Sequence, residues 1–127
     1  MLTSFSPTIE NALRAHIEVW LQQLSADNWG KVIGMLDDPN SYGVKWGEAE
    51  IRNSINAYSR SKPWAVSDPK SLDISGHTSF GEFNDGSGYW FDYDIPLNGE
   101  WSDLTAQFEF KKRGNGYAVV LHNIHVL

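Results

Sequence analysis

The fold is decided by the C-terminal stretch Trp101–Leu127, which reads WSDLTAQFEFKKRGNGYAVVLHNIHVL. Its first half alternates apolar and polar side chains with a period of two, as a half-buried β-strand requires. The Gly114-Asn115-Gly116 run supplies residues that adopt positive φ angles in a tight reversal. The stretch therefore predicts an antiparallel hairpin with strands at 102–112 and 116–126.

The second strand of this hairpin is apolar on both faces if its side chains alternate regularly. One face then carries Tyr117, Val119 and Leu121, and the other carries Val120, Ile124 and Val126. A strand of this kind lies inside a sheet, and both of its faces are covered by other parts of a protein. We therefore expect its outer face to be covered by the chain itself or by homodimerisation.

Three helices are predicted before the first strand, at 7–24, 28–37 and 47–58. Ser6 and Pro7 are typical of an N-cap and of the first helical position. Apolar residues then recur at spacings of three and four, which indicates one wide buried stripe on the first helix. These residues are Ile9, Leu13, Ile17, Trp20, Leu21 and Leu24.

The apolar pattern changes to a period of two at Ser71, which predicts further strands at 71–83 and 89–95. Glycines in this half of the chain allow the strands to bend. We predict a single α+β domain over residues 1–127, with N-terminal helices packed on a bent antiparallel sheet of about four strands. Such a sheet forms a cone around the first helix.

Composition excludes several classes of protein. The chain of 127 residues has no cysteine and a net charge of −6, which argue against disulfides, thiolate metal sites and nucleic-acid binding. No apolar run is long enough to span a membrane, and the N-terminus lacks a secretory signal pattern. We therefore expect a cytoplasmic protein that binds neither membranes nor nucleic acid.

The acidic charge is concentrated in the second half of the chain, where residues 71–110 include no Lys or Arg. Exposed aromatic side chains beside carboxylates are typical of a protein-binding surface. The residues predicted to bind a partner are Glu82, Asp85, Trp90, Asp92, Asp94, Glu100, Trp101 and Asp103. Asp92 and Asp94 share one face of a strand, so an acid/base pair is a second interpretation.

Other chemistry is poorly supported by the sequence. His122 and His125 are three residues apart, which on a regular strand places their imidazoles on opposite faces, so we expect no metal site there. The glycine pairs Gly86/Gly88 and Gly114/Gly116 do not extend into nucleotide-binding fingerprints. No cofactor and no catalytic residue is therefore predicted.

Two blocks resemble a small bacterial domain family of unknown function. They are the run from Trp101-Ser102-Asp103-Leu104-Thr105 to the ending His122–Leu127, and the stretch Trp46–Tyr58. The order of helices followed by a bent sheet also resembles the nuclear transport factor 2-like (cystatin-like) fold. That resemblance implies a choice among ketosteroid-isomerase-type enzymes, ligand-binding domains and immunity proteins of toxin systems.

The first functional hypothesis is a non-enzymatic immunity protein that neutralises a cognate protein toxin through an acidic, aromatic surface. A nuclease is one kind of toxin that would fit such a surface. The alternative is a small-molecule-binding or isomerase/lyase-like domain with a pocket inside the cone. There Asp92 or Asp94 would act as base, and Trp90, Tyr42 or His16 would line the pocket.

Overall fold

The computed structural model describes residues 8–58, 63–73 and 76–127, which form an α+β fold with the helices on one side of a sheet. The elements are helices α1 (Ile9–Ser25), α2 (Trp29–Gly34) and α3 (Glu48–Ala57), and strands β1 (Thr78–Glu82), β2 (Gly88–Leu97), β3 (Glu100–Arg113) and β4 (Gly116–Val126). The strands form one antiparallel sheet in the order β1-β2-β3-β4. The predicted fold class is confirmed. No helix among these residues has the length and apolarity needed to cross a bilayer.

Helix α1 begins at a threonine N-cap. The Thr8 side chain accepts a hydrogen bond from the Asn11 backbone N–H at 3.3 Å, which satisfies one of the free donors of the first turn. The N-cap predicted at Ser6 and the helical start at Pro7 lie outside the described residues.

The apolar stripe of α1 packs against one face of the sheet, here called the inner face. The largest fully buried side chains include Trp20 of α1 and Phe91, Phe108 and Phe110 of the sheet. Trp20 meets Phe108 edge-on, with ring centroids 5.2 Å apart, and its indole N–H donates to the Val32 carbonyl at 3.1 Å. These aromatic side chains fill the space between α1 and the sheet.

The first strand is shorter than the predicted range of 71–83. Pro69–Ser71 form a turn of 3₁₀ helix, in which the Asp68 side chain accepts from the Lys70 N–H at 2.9 Å. Proline favours the start of a helical turn and the Asp68 carboxylate caps it, so the strand cannot begin at Ser71. Strand β1 begins instead at Thr78.

A bulge in β4 changes the face to which its C-terminal half points. Gln107 of β3 pairs with Asn123, whereas Phe108 pairs with Leu121, so His122 is an extra residue in β4. Ile124 therefore returns to the inner face with Leu121, and the prediction that the two lie on opposite faces is wrong. The apolar second face that suggested a homodimer is largely lost, and homodimerisation stays a prediction.

The segment after α2 runs along the edge of β4. The Asp37 N–H donates to the Val119 carbonyl at 2.7 Å, and the Asp37 carboxylate accepts from the Val119 N–H at 2.8 Å. Further along, the Asn40 side-chain amide donates to the His122 carbonyl at 3.0 Å. These bonds satisfy part of the exposed strand edge and bring the loop after α2 beside the bulge.

Candidate functional site

The face of the sheet opposite the helices, here called the outer face, carries the polar residues of the central strands. Cross-strand pairing arranges them in three rows: Trp90, Glu109 and Val120; then Asp92, Gln107 and Asn123; then Asp94, Thr105 and His125. The Trp90, Asp92, Asp94, Gln107 and Glu109 side chains are partly exposed, so this face is open to solvent.

A groove of about 300 Å³ lies in the middle of this face. Its lining residues come from three strands and are Trp90, Asp92, Gln107, Phe108, Glu109 and His122. We call it the outer groove. A second depression of about 390 Å³ shares Glu109 with it and extends past Lys111 to the β1–β2 turn at Asp85.

One wall of the outer groove is the Trp90 indole, which lies over strand β1 at Gly81. A Cβ atom added to Gly81 would come within 2.5 Å of the indole ring. The missing side chain at Gly81 therefore allows the ring to lie against the backbone of β1. Any larger residue at this position would push the ring away.

The opposite wall is formed in β4 by His122, whose ring contacts the Tyr42 ring outside the groove. Their ring centroids are 5.8 Å apart and their planes are inclined at 32°, while Tyr42 is 79% exposed. The Asn40 side-chain oxygen holds the turn by accepting from the N–H groups of Tyr42 at 3.0 Å and Val44 at 2.9 Å. Asn40 thus positions Tyr42 beside the bulge.

Two polar atoms of the outer groove are buried without a hydrogen-bond partner in the structure. They are the Glu109 Oε1 oxygen and the His122 Nδ1 nitrogen. A buried polar atom left unpaired costs about 1–3 kcal/mol, and more when the group is charged. The groove is a candidate binding site because carboxylates and aromatic side chains line it together and its polar atoms are not all satisfied within the protein.

The Asp92 carboxylate sits in the middle of the groove. Burial raises its pKa above the usual value, and the Gln107 hydrogen bond and the nearby His125 and His122 only partly oppose this. The neighbouring Asp94 accepts from the Thr105 hydroxyl at 2.8 Å and lies 3.9 Å from His77 Nδ1. Asp92 therefore has the more unfavourable environment for its negative charge.

Asp92→Asn is expected to raise the melting temperature at pH 7. A carboxyl group whose pKa is raised by folding contributes stability that is present below its unfolded pKa, near 3.8, and lost as pH rises through the folded pKa. The ionised Asp92 therefore destabilises the fold at neutral pH, and asparagine removes that cost. The gain should disappear near pH 3.5, as measured by thermal unfolding followed by circular dichroism at several pH values.

Asp85→Asn is the matched control, and it should lower the melting temperature at pH 7. The Ser87 hydrogen bonds lower the pKa of Asp85, so its ionised form stabilises the fold at neutral pH and that contribution is lost in acid. A lower or unchanged melting temperature for Asp92→Asn at pH 7 would contradict the assignment of Asp92 as a desolvated carboxylate.

Only part of the predicted binding surface is brought together. Trp90, Asp92 and Asp94 share the outer face, and Asp85 lies at the end of the adjoining depression. Glu82 lies on the inner side and approaches Lys112 at 3.8 Å, while Trp101 packs on the core beside Tyr93.

Glu100 and Asp103 lie toward the other end of the sheet from Asp85. Glu100 begins β3 after the β2–β3 turn, and the Tyr58 hydroxyl of the α3 C-terminus donates to the Asp103 carboxylate. Strand β2 separates these ends by roughly 30 Å at the usual rise per residue. The eight predicted residues therefore do not form one continuous surface.

The residues proposed to line a pocket inside the cone occupy two different sides of the sheet. Trp90 and Asp92 line the outer groove and Tyr42 lies beside His122, whereas His16 is on α1 with its ring 6.1 Å from that of Phe110. Desolvation lowers the pKa of His16. The interior position predicted for these carboxylates is wrong, because alternation along β2 gives the inner face to Phe91 and Tyr93.

The two C-terminal histidines lie on the same face, contrary to the prediction. The bulge adds one residue between them, so His122 lines the outer groove and His125 pairs with Thr105 in the adjacent row. Even so, within the described parts of the chain no three His, Cys, Asp or Glu side chains are grouped closely enough to hold a metal ion.

Glu109, Gln107 and His122 were missed as site residues. Glu109 and Gln107 appeared only as the polar half of an alternating strand, and the pairing of β3 with β2 decides that they face Asp92. One signal did exist for His122. Two adjacent polar residues, His122 and Asn123, interrupt an otherwise apolar strand, as an inserted bulge residue does.

The structure thus defines an α+β domain with an acidic, aromatic groove on the open face of a four-stranded sheet. Residues 42–127 match the model of a family described as a domain of unknown function (DUF7668), and the chain belongs to this family. The matched region includes Tyr42, α3 and all four strands, and both sequence blocks singled out above. No curated protein and no solved structure matches the chain.

Proposed function

We propose that this protein is a non-enzymatic immunity protein that binds and neutralises a cognate toxin domain through the outer face of its sheet. The observation that carries the proposal is the outer groove, an open site with carboxylates on its floor and aromatic rings on its walls. The Glu109 carboxylate that lines this site has one oxygen, Oε1, without a hydrogen-bond partner in the structure.

The arrangement favours binding over catalysis. A general base works best in a site that excludes water, whereas this groove lies on an open face of the sheet. Asp94 already accepts from the Thr105 hydroxyl, and Gln107 provides a hydrogen bond to Asp92. These bonds hold the two carboxylates in place as fixed negative charges, which suits recognition of a basic partner.

The order of helices and strands along the chain is also consistent with the role of an immunity protein. Helices followed by an antiparallel sheet resemble the nuclear transport factor 2-like fold, which immunity proteins of bacterial toxin systems use. A toxin that cleaves nucleic acid must present a basic cleft to phosphates. An acidic surface would compete for that cleft and speed the encounter by electrostatic attraction.

We expect co-expression with this protein to abolish the growth defect caused by the toxin domain encoded beside its gene. Protection should be lost when the outer face is reversed in charge by Asp92→Lys together with Glu109→Lys. Colony counts measure protection, and co-purification of the two proteins measures the complex. Full toxicity in the presence of the folded wild-type chain would overturn the proposal.

A small-molecule-binding or isomerase/lyase-like function is the second candidate. It is favoured by the size of the outer groove, about 300 Å³, which is at the lower end of the range for ligand pockets. The raised pKa of Asp92 in the same groove suits a weak general base. Activity on small carbonyl substrates that is lost in Asp92→Asn would favour this candidate over the immunity role.

A further inference from the structure

We propose that the outer groove anchors one arginine side chain of the protein partner, with its guanidinium group between Asp92 and Glu109. This inference rests on the proposed function and specifies the chemistry of the contact. The proposed occupant of the groove is a single cationic, planar group that donates several hydrogen bonds.

The charge of the groove selects a cation. Asp92 and Glu109 line it, and Asp94 occupies the next row of the same face. Lys111 lines the adjoining depression, yet none of the ion pairs among the described residues joins its ammonium group to Glu109. The two carboxylates of the groove are therefore left for a cation supplied from outside.

The positions of the two carboxylates suit a bridging group. Asp92 pairs with Gln107, and Glu109 is two residues further along the same strand, so Asp92 and Glu109 are diagonal neighbours. Diagonal neighbours in an antiparallel sheet have Cα atoms roughly 7–8 Å apart. A guanidinium group between them can donate hydrogen bonds to both carboxylates.

The walls of the groove favour arginine over lysine. The Trp90 indole lies over β1 at Gly81, and the His122 ring lines the groove on the β4 side. A guanidinium group is planar, stacks on aromatic faces and is more weakly hydrated than an ammonium group. It therefore loses less hydration free energy on entering a half-buried groove.

The chemistry is tested with the free protein and simple amino-acid amides. The ¹⁵N-labelled chain is titrated with N-acetyl-arginine methylamide, with the lysine analogue and with the uncharged citrulline analogue. We expect saturable shifts of the Trp90 indole N–H and of the Glu109 amide with arginine, at a Kd of about 1 mM. Lysine should bind at least about tenfold more weakly and citrulline not detectably.

Glu109→Gln should weaken arginine binding by at least about tenfold, because it removes one of the two negative charges that the guanidinium group would contact. Glu82→Gln, the same change on the inner side beside Lys112, should leave binding unchanged. Spectra of both variants show directly whether the fold is retained. Absent shifts, or equal binding of arginine and lysine, would overturn the proposal.

Different results would overturn the arginine anchor and the immunity role. Protection from the toxin without arginine binding would overturn the arginine anchor and leave the immunity role standing. Selective arginine binding without protection would support the anchor and overturn the immunity role.

Discussion

Trp20→Ala is expected to lower the free energy of unfolding by about 3–5 kcal/mol. Trp20 is fully buried, packs edge-on against Phe108 and donates its indole N–H to the Val32 carbonyl. Alanine would leave a large cavity between α1 and the sheet and an unpaired carbonyl in α2. Urea denaturation followed by circular dichroism measures the change as a lower midpoint.

Val19→Ala is the matched control on the same helix. Val19 is 37% exposed, so its loss should change stability by no more than about 0.5 kcal/mol. A loss below about 1 kcal/mol for Trp20→Ala would contradict the packing described for α1. The comparison is informative because α1 precedes the region matched by the family, and it tests whether α1 folds as one unit with the sheet.

The double variant Asp92→Lys/Glu109→Lys is expected to weaken the toxin complex by at least about 100-fold. Close charge pairs in interfaces contribute about 1.5–7 kcal/mol each, and the variant turns both attractions into repulsions. Trp90→Ala should weaken binding by at least about tenfold, since central tryptophans dominate interface energies. Isothermal titration calorimetry measures both dissociation constants.

The control for this prediction is Glu82→Lys/Glu100→Lys, which changes the charge by the same amount away from the outer groove. It should alter mainly the association rate and its salt dependence, with a change in Kd below about tenfold. Equal weakening by the two double variants would show that the acidic charge acts only at long range. The outer groove would then lose its role as the contact site.

Much of the fold could be predicted because strand and turn patterns are local. The alternation in Trp101–Leu127 and its Gly-Asn-Gly turn predicted β3 and β4 within two residues of their observed ends. The start of β1 was wrong, since the apolar Leu72 follows a 3₁₀ turn that Asp68 caps. A short apolar run does not distinguish a strand from the end of a turn.

The sequence was enough to predict that the site is acidic and aromatic. It was not enough to predict which residues form the site. Trp90, Asp92 and Asp94 were found because they alternate along one strand. Glu82 carries the same charge, yet β1 presents it on the inner side beside Lys112. Net charge along the chain does not reveal the side of the sheet on which each carboxylate lies.

Local residue patterns are enough to establish the α+β class, the final hairpin and the outward direction of Asp92 relative to Phe91, because side chains alternate along any extended backbone. The assembly of Glu109, His122 and Asp92 in one groove depends instead on how the strands pair in three dimensions. Cross-strand neighbours depend on the register between strands, and the extra residue His122 shifts that register within β4. The same bulge turns Ile124 into the core, so that Asn123 and His125 lie on the outer face beyond it.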